Sequence, residues 1–190
     1  MVIIRRYGVI VTLAICVATA GLLAYRYKAL WWPNQGEQSE PGPLRFLPKV
    51  AKAKGHLYFS DADNRFLTAE YRTLALSDTV AQRAKDIMKA LIEGPIGSLS
   101  PTMPAGTKVL ALYVTQNGTA YVDFNRAIIE NHPGGTFSEL LTIFSIVNTL
   151  VLNIPEIEAV KILIEGREAD TLAGHIDIRR PFRPNMLMIK

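Results

Sequence analysis

The apolar positions of this chain fall into three rhythms. Residues 7–25 form a 19-residue run without one formally charged side chain, bracketed by Arg5-Arg6 and by Arg26 and Lys28. A helix of that length is roughly 28 Å long, close to the hydrocarbon thickness of a bilayer. Residues 31–54 have no rhythm: Pro33, Pro41, Pro43 and Pro48 interrupt a polar stretch that has little to bury. Beyond residue 55 short apolar segments alternate with turn signals, as in a half-polar globular domain. The expected organisation is a membrane anchor over 1–30, a proline-rich linker over 31–54, a domain over 55–183 and a tail over 184–190.

Within the domain, His56-Leu57-Tyr58-Phe59 and residues 66–76 read as two strands around the turn-rich Ser60-Asp61-Ala62-Asp63-Asn64. Val80, Ala84, Ile87, Met88, Leu91 and Ile92 recur at helical spacing, with Thr79 as N-cap, Gln82 three residues on, and Gly94-Pro95 as the stop. Residues 108–114 and 119–124 flank Gln116-Asn117-Gly118, a strong hairpin signal. A second helix is expected from near Thr136, with Glu139 in the capping-box position, to about Asn153. No charge lies between Glu139 and Glu156, yet Thr142, Ser145, Asn148 and Thr149 make it too short and too polar to span a bilayer. It reads as a core helix, and Asn148, mid-helix among apolar neighbours, must find partners in an adjacent loop. Two more strands are expected at 159–164 and 171–178. The order ββαββαββ predicts an α+β fold with two helices packed on one face of a mixed β-sheet, preceded by one N-terminal transmembrane helix.

Charge sharpens the division. Residues 1–54 carry eight Lys/Arg against two Glu, whereas the remainder holds thirteen basic and fifteen acidic residues. The positive excess therefore flanks the anchor and fills the linker rather than lying on the folded surface, which argues against a nucleic-acid partner. Cys16 is the single cysteine, so no intrachain disulfide exists. Ala18-Thr19-Ala20 resembles a signal-peptide cleavage site, but the apolar run continues past it, favouring an uncleaved signal anchor. Ile15 before Cys16 disfavours lipidation there. Trp31 and Trp32 then fall at the headgroup level of the membrane interface. The expected location is the cytoplasmic (inner) membrane, single-pass, with the C-terminal domain outside.

Candidate chemistry is sparse. His56, His132 and His175 lie in three different elements without metal-site spacing. Asp61-Ala62-Asp63-Asn64-Arg65 lacks the glycine and glutamate that close a calcium loop, and reads as a turn. No nucleophile elbow, phosphate loop or nucleotide fingerprint is present. No catalytic residue, cofactor or metal is expected. Glu70 and Arg72, two apart in a strand, share one face and form either a partner-docking patch or a surface ion pair.

The order of motifs resembles the GerM (sporulation and spore germination) domain family across about residues 56–182. The carriers are Leu57-Tyr58-Phe59, Glu70-Tyr71-Arg72, Leu91-Ile92-Glu93-Gly94-Pro95, Met103-Pro104-Ala105-Gly106-Thr107, Ala120-Tyr121-Val122-Asp123-Phe124, Ile146-Val147-Asn148-Thr149-Leu150, Ile164-Glu165-Gly166 and Leu172-Ala173-Gly174-His175. The resemblance implies an extracytoplasmic module, commonly membrane-attached, associated with envelope, peptidoglycan or spore-assembly processes, and carries no enzymatic activity with it. The function expected is a membrane-anchored extracytoplasmic binding or assembly module whose partner is an envelope protein or peptidoglycan. The rivals are a peptidoglycan hydrolase or its regulator, and a structural ring or channel subunit.

Overall fold

In a computed structural model the described residues are 16–28 and 51–190. The chain divides into two units. In the first, residues 16–28 are helical (α1) and exposed, apolar side chains such as Val17, Leu22 and Leu23 included. The anchor's first half, Trp31, Trp32 and most of the linker lie outside the described residues.

The second unit is the domain. β1 (Ala51–Ser60) and β2 (Leu67–Leu76) pair antiparallel along their whole length, from Ala51 opposite Leu76 to Ser60 opposite Leu67. The first strand thus begins five residues before His56, because β2 is long enough to pair with what had read as the end of the linker. The turn between them is held by Asp61, whose Oδ1 accepts the N–H of Arg65 at 2.7 Å and of Phe66 at 3.3 Å. Those bonds keep its carboxyl below the usual carboxylate range. Helix α2 (Val80–Ile92) is capped as its sequence predicts, the Thr79 hydroxyl accepting the Gln82 N–H. The Gln82 side chain donates to Asp86 rather than reaching back to the cap.

β3 (Val109–Val114), β4 (Thr119–Phe124) and β5 (Ala159–Ile164) form a second sheet in the order β3-β4-β5, antiparallel then parallel. The β3–β4 turn needs its glycine twice over. Gly118 has φ +77°, and a Cβ there would lie 3.1 Å from Glu158 Cγ and 3.3 Å from the Glu156 carbonyl. The short α3 (Ala127–Glu130) and the long α4 (Thr136–Asn153) make the crossover from β4 to β5. Four residues are too few to register as periodicity, so α3 had no signature in the sequence.

Two expectations are corrected. There is no single mixed sheet but two separate ones. Residues 171–178 are not a strand: one bridge joins Thr171 to Asp177, and the chain bends around Gly174, at φ +106°. The N–H groups of that bend go to a side chain of α4 instead of to a ladder. The last residues of the domain and the tail beyond them are tied in by main-chain bonds. Phe182 exchanges two 2.8 Å main-chain bonds with Val160 on β5, Ile189 bridges Leu67, and the Lys190 N–H donates to the Leu67 carbonyl.

The core forms where α4 lies against β1, α2 and β5. Leu57, Phe59, Ile87, Leu91, Val122, Phe124, Ile143, Ile146, Leu150, Val160 and Ile162 are all buried. Every residue of α4 from Leu141 to Leu150 is buried, polar ones included. Among the described residues α4 alone is long and apolar enough to cross a membrane, and its burial makes it the core helix that its polar residues predicted.

Candidate functional site

The burial of α4 poses a problem that its sequence solves. Ser145, Thr149 and Asn153 recur every four residues and so form one stripe along the helix. That stripe lies along the free edge of β1. The Ser145 hydroxyl donates to the Tyr58 carbonyl at 2.6 Å and the Tyr58 N–H donates to Thr149 Oγ1 at 3.1 Å. The Asn153 amide serves His56 at both ends, accepting its N–H at 2.9 Å and donating to its carbonyl at 2.7 Å. Ser60 completes the row by exchanging bonds of 3.1 and 2.9 Å with the main chain of Ser100. A helix here does the work of a third strand. Asn148, facing another way, brackets Asn185: its amide donates to the Asn185 carbonyl and accepts the Asn185 N–H at 2.9 Å.

Near the start of α4 this network opens into a cleft of about 380 Å³, walled by Met103, Pro104, Pro133, Phe137, Leu141 and the Ser60–Asn64 turn. Phe137 is half-exposed at its mouth. The hydroxyls behind it are already engaged: Thr142 donates to the Thr102 carbonyl at 2.8 Å, and because the Ser145 proton goes to the Tyr58 carbonyl, the Thr102 hydroxyl donates to Ser145, 2.5 Å away. With the Thr142 proton spent, His132 Nε2 must donate to it, at 3.2 Å, while Nδ1 accepts the Gly134 N–H at 3.0 Å. His132 is thus held as the neutral Nε2–H tautomer, and burial depresses its pKa, with Glu139 opposing weakly. No Asp, Glu, His, Lys, Arg or Cys lines the cleft. It can accept an apolar or planar group but has no acid or base of its own.

The acid nearby is turned the other way. Glu139, fully buried, accepts the N–H groups of Ala173, His175 and Ile176 at 3.0–3.1 Å and lies 2.6 Å from the His175 ring. Burial pushes its carboxyl up, but the Ile176 and Ala173 N–H groups and His175 outweigh it and leave it below the usual carboxylate range. It is not a capping-box residue: the N-cap is Gly135, without a side-chain cap, and Glu139 instead holds the 172–176 bend in place.

Glu70 and Arg72 do share a face and meet, Arg72 Nε to Glu70 Oε1 at 2.7 Å, with side chains only 16 % and 11 % exposed. Arg72 also donates to the carbonyls of Ala90 and Gly94, and Glu70 accepts the N–H groups of Ile96 and Gly97 at 3.0 Å. The pair clamps the end of α2 to β2, and its polar atoms are spent on that. His56 packs edge-on against Tyr71 at 4.8 Å, and among the described residues the three histidines, Asp and Glu form no metal-holding group.

A further concave surface, invisible to motif reading, runs between α2 and β3. It is a groove of about 420 Å³ floored by Ile92, Val109 and Leu110 and rimmed by Lys85, Lys89 and Lys108, with Glu93 at one end. Its one legible sign was the four-residue spacing of Lys85 and Lys89 on the polar face of the helix.

An antiparallel strand pair and a three-stranded sheet gathered around one buried helix define the class: a small α+β module. Residues 56–170, more than half of the chain, match the family described as sporulation and spore germination, and the chain belongs to that family. Among solved structures it is similar to a Clostridium perfringens protein described as a lipoprotein, with 27% identity over 70% of this chain and 88% of that one, at a TM-score of 0.51. The tandem GerMN domains of the sporulation protein GerM from Bacillus subtilis share its fold at 23% identity and a TM-score of 0.54, over 70% of this chain and 46% of theirs. The first of those domains alone aligns at 22% identity and a TM-score of 0.51, over 70% of this chain and 96% of its own. No curated protein matches the chain.

Proposed function

We propose that this protein is a membrane-anchored extracytoplasmic binding or assembly module of the bacterial cell envelope, held in the cytoplasmic membrane by its N-terminal helix. The observation that carries the binding half is chemical. The cleft at the start of α4 offers an apolar wall without a titratable group, while the one carboxylate that is fully buried among the described residues is committed to three backbone N–H groups and an imidazole. Acid–base turnover needs a group free to exchange a proton with substrate. Contact needs only shape and unspent surface. The anchoring half is supported by the charge-free run over 7–25, by the exposed apolar side chains of α1, and by likeness to a protein described as a lipoprotein. The partner is an envelope protein or peptidoglycan.

Two measurements on the full-length chain test this. A topology reporter fused after Lys190, with the mass of the mature N-terminus, is expected to read outside the membrane with residues 1–20 retained. In-cell crosslinking is expected to capture an envelope protein or wall fragments. A cytosolic C-terminus removes the envelope reading. Muropeptide release by the purified chain replaces the binding module with a hydrolase.

A further inference from the structure

The edges of the two sheets are treated differently. The second half of β1, His56 to Ser60, is sealed by the stripe on α4 and by Ser100, β5 by Phe182 at Val160, and the start of β2 by Ile189 and Lys190. β3, against which α2 packs and whose Leu112 is buried, has no such main-chain partners among the described residues. Thr115 N–H bonds to Thr119 across the hairpin, so the antiparallel alternation turns the main-chain groups of Leu112 and Val114 outward. Among the described residues no hydrogen bond meets them there. The strand is Val-Leu-Ala-Leu-Tyr-Val, without a charge or a proline to blunt it, and Leu110 and Tyr113 are about half exposed. An edge of that composition is a template for another strand. Beside it runs the groove against α2, so an added strand would find side-chain pockets as well as main-chain partners.

The rim states the chemistry of the occupant. Lys85, Lys89 and Lys108 are exposed and, among the described residues, none forms an ion pair. Against them stands only Glu93. A second copy pairing β3 to β3 would bring six lysines together. We propose that the open edge of β3 and its lysine-rimmed groove bind an extended, acidic polypeptide segment of a partner protein as an added strand. This names the partner class for the binding module proposed above and rests on that reading.

The test uses the full-length chain in phosphatidylcholine nanodiscs and fluorescence anisotropy of a labelled short peptide alternating valine and glutamate. Saturable binding is expected, weakened about tenfold or more by Lys85→Glu with Lys89→Glu, through like-charge repulsion. Lys52→Glu with Lys54→Glu, on the other sheet, is expected to leave it unchanged. Circular dichroism confirms folding, since all four lysines are exposed. A peptide of the same charge with proline at alternate positions, unable to add to a ladder, is expected not to bind. No binding, equal binding of the proline peptide, equal weakening by the control pair, self-association through β3, or lysine-dependent attachment to phosphatidylglycerol vesicles in place of peptide each overturns the proposal. None of these touches the envelope reading, which stands or falls on the topology reporter.

Discussion

β1 and β3 each border a sheet, and the domain handles them in opposite ways. Along β1 every outward main-chain group of His56, Tyr58 and Ser60 has a partner, four of the six from side chains of one helix. Along β3 those of Leu112 and Val114 have none among the described residues. The contrast lies in which helix faces which edge. α4 presents Ser145, Thr149 and Asn153 at hydrogen-bonding distance, whereas α2 presents lysines that stand off from the strand and leave a groove. Polar atoms on a helix can thus close a sheet or leave it open, depending on reach and charge. Folding accounts for the first arrangement.

The largest expected effect comes from breaking the seal. In Ser145→Ala/Thr149→Val/Asn153→Leu, buried main-chain groups of β1 lose their partners. An orphaned buried group costs about 1–3 kcal/mol, so the loss in unfolding free energy is expected to be about 3–6 kcal/mol. Urea denaturation measures it, and hydrogen exchange at Tyr58 localises it. A loss under about 1 kcal/mol would mean that the stripe is incidental.

The clamp comes next, because it fixes the wall of the open groove. Arg72→Met leaves Glu70 with the N–H groups of Ile96 and Gly97 but frees the carbonyls of Ala90 and Gly94. A cost of about 2 kcal/mol is expected, below that of a fully buried pair because Glu70 keeps two donors. Faster exchange should appear in the last turn of α2. Unchanged exchange there would separate the clamp from the groove.

Acidification probes α4 from its other end. Glu139 has a folded-state pKa below its ordinary 4.5, so its stabilisation is present above about pH 4.5 and fades as pH falls through the lower folded value. His132, depressed by burial, adds in the same direction: stability is full above its ordinary 6.5 and declines below it. His175 is the other titratable group against Glu139. Glu139→Gln is expected to cost about 2 kcal/mol at neutral pH and to flatten the decline below pH 4.5, while the decline near pH 6 persists and deepens slightly, because the Glu139 charge no longer opposes the shift of His132. A variant whose acid limb matched wild type would remove Glu139 from the account.

Much of this was legible in the pattern of residues. The helix over 80–92 with its Thr79 cap, the hairpin at Asn117-Gly118, the core helix ending at Asn153 and the tie made by Asn148 all follow from local chemistry. What escaped was whatever depended on distant partners. The spacing of Ser145, Thr149 and Asn153 was visible, but nothing local says that the helix lies on a strand edge. Residues 171–178 looked like a strand because Leu172, Ile176 and Ile178 alternate with polar residues, yet a buried carboxylate from α4 outcompeted a ladder for their N–H groups. Glu139 looked like a cap because its interval from Thr136 fits one, although its partners lie more than thirty residues away. The groove had no motif at all, since it exists only where α2 and β3 meet.

The smallest expected effect on stability is the most telling. Lys85 and Lys89 are exposed and unpaired, so Lys85→Glu with Lys89→Glu is expected to move the unfolding free energy by no more than about 0.5 kcal/mol. Beside the several kcal/mol lost with the α4 stripe, that near-zero value separates an edge closed for folding from one left open. If the double reversal instead destabilised the domain by 2 kcal/mol or more, the lysines would be supporting α2 against β3, and the groove would belong to the core's own architecture. If it left the fold intact but altered crosslinking in the cell, the open edge would carry the contact. Thermal and urea unfolding decide the first question, and the crosslinked partners of the same variant decide the second.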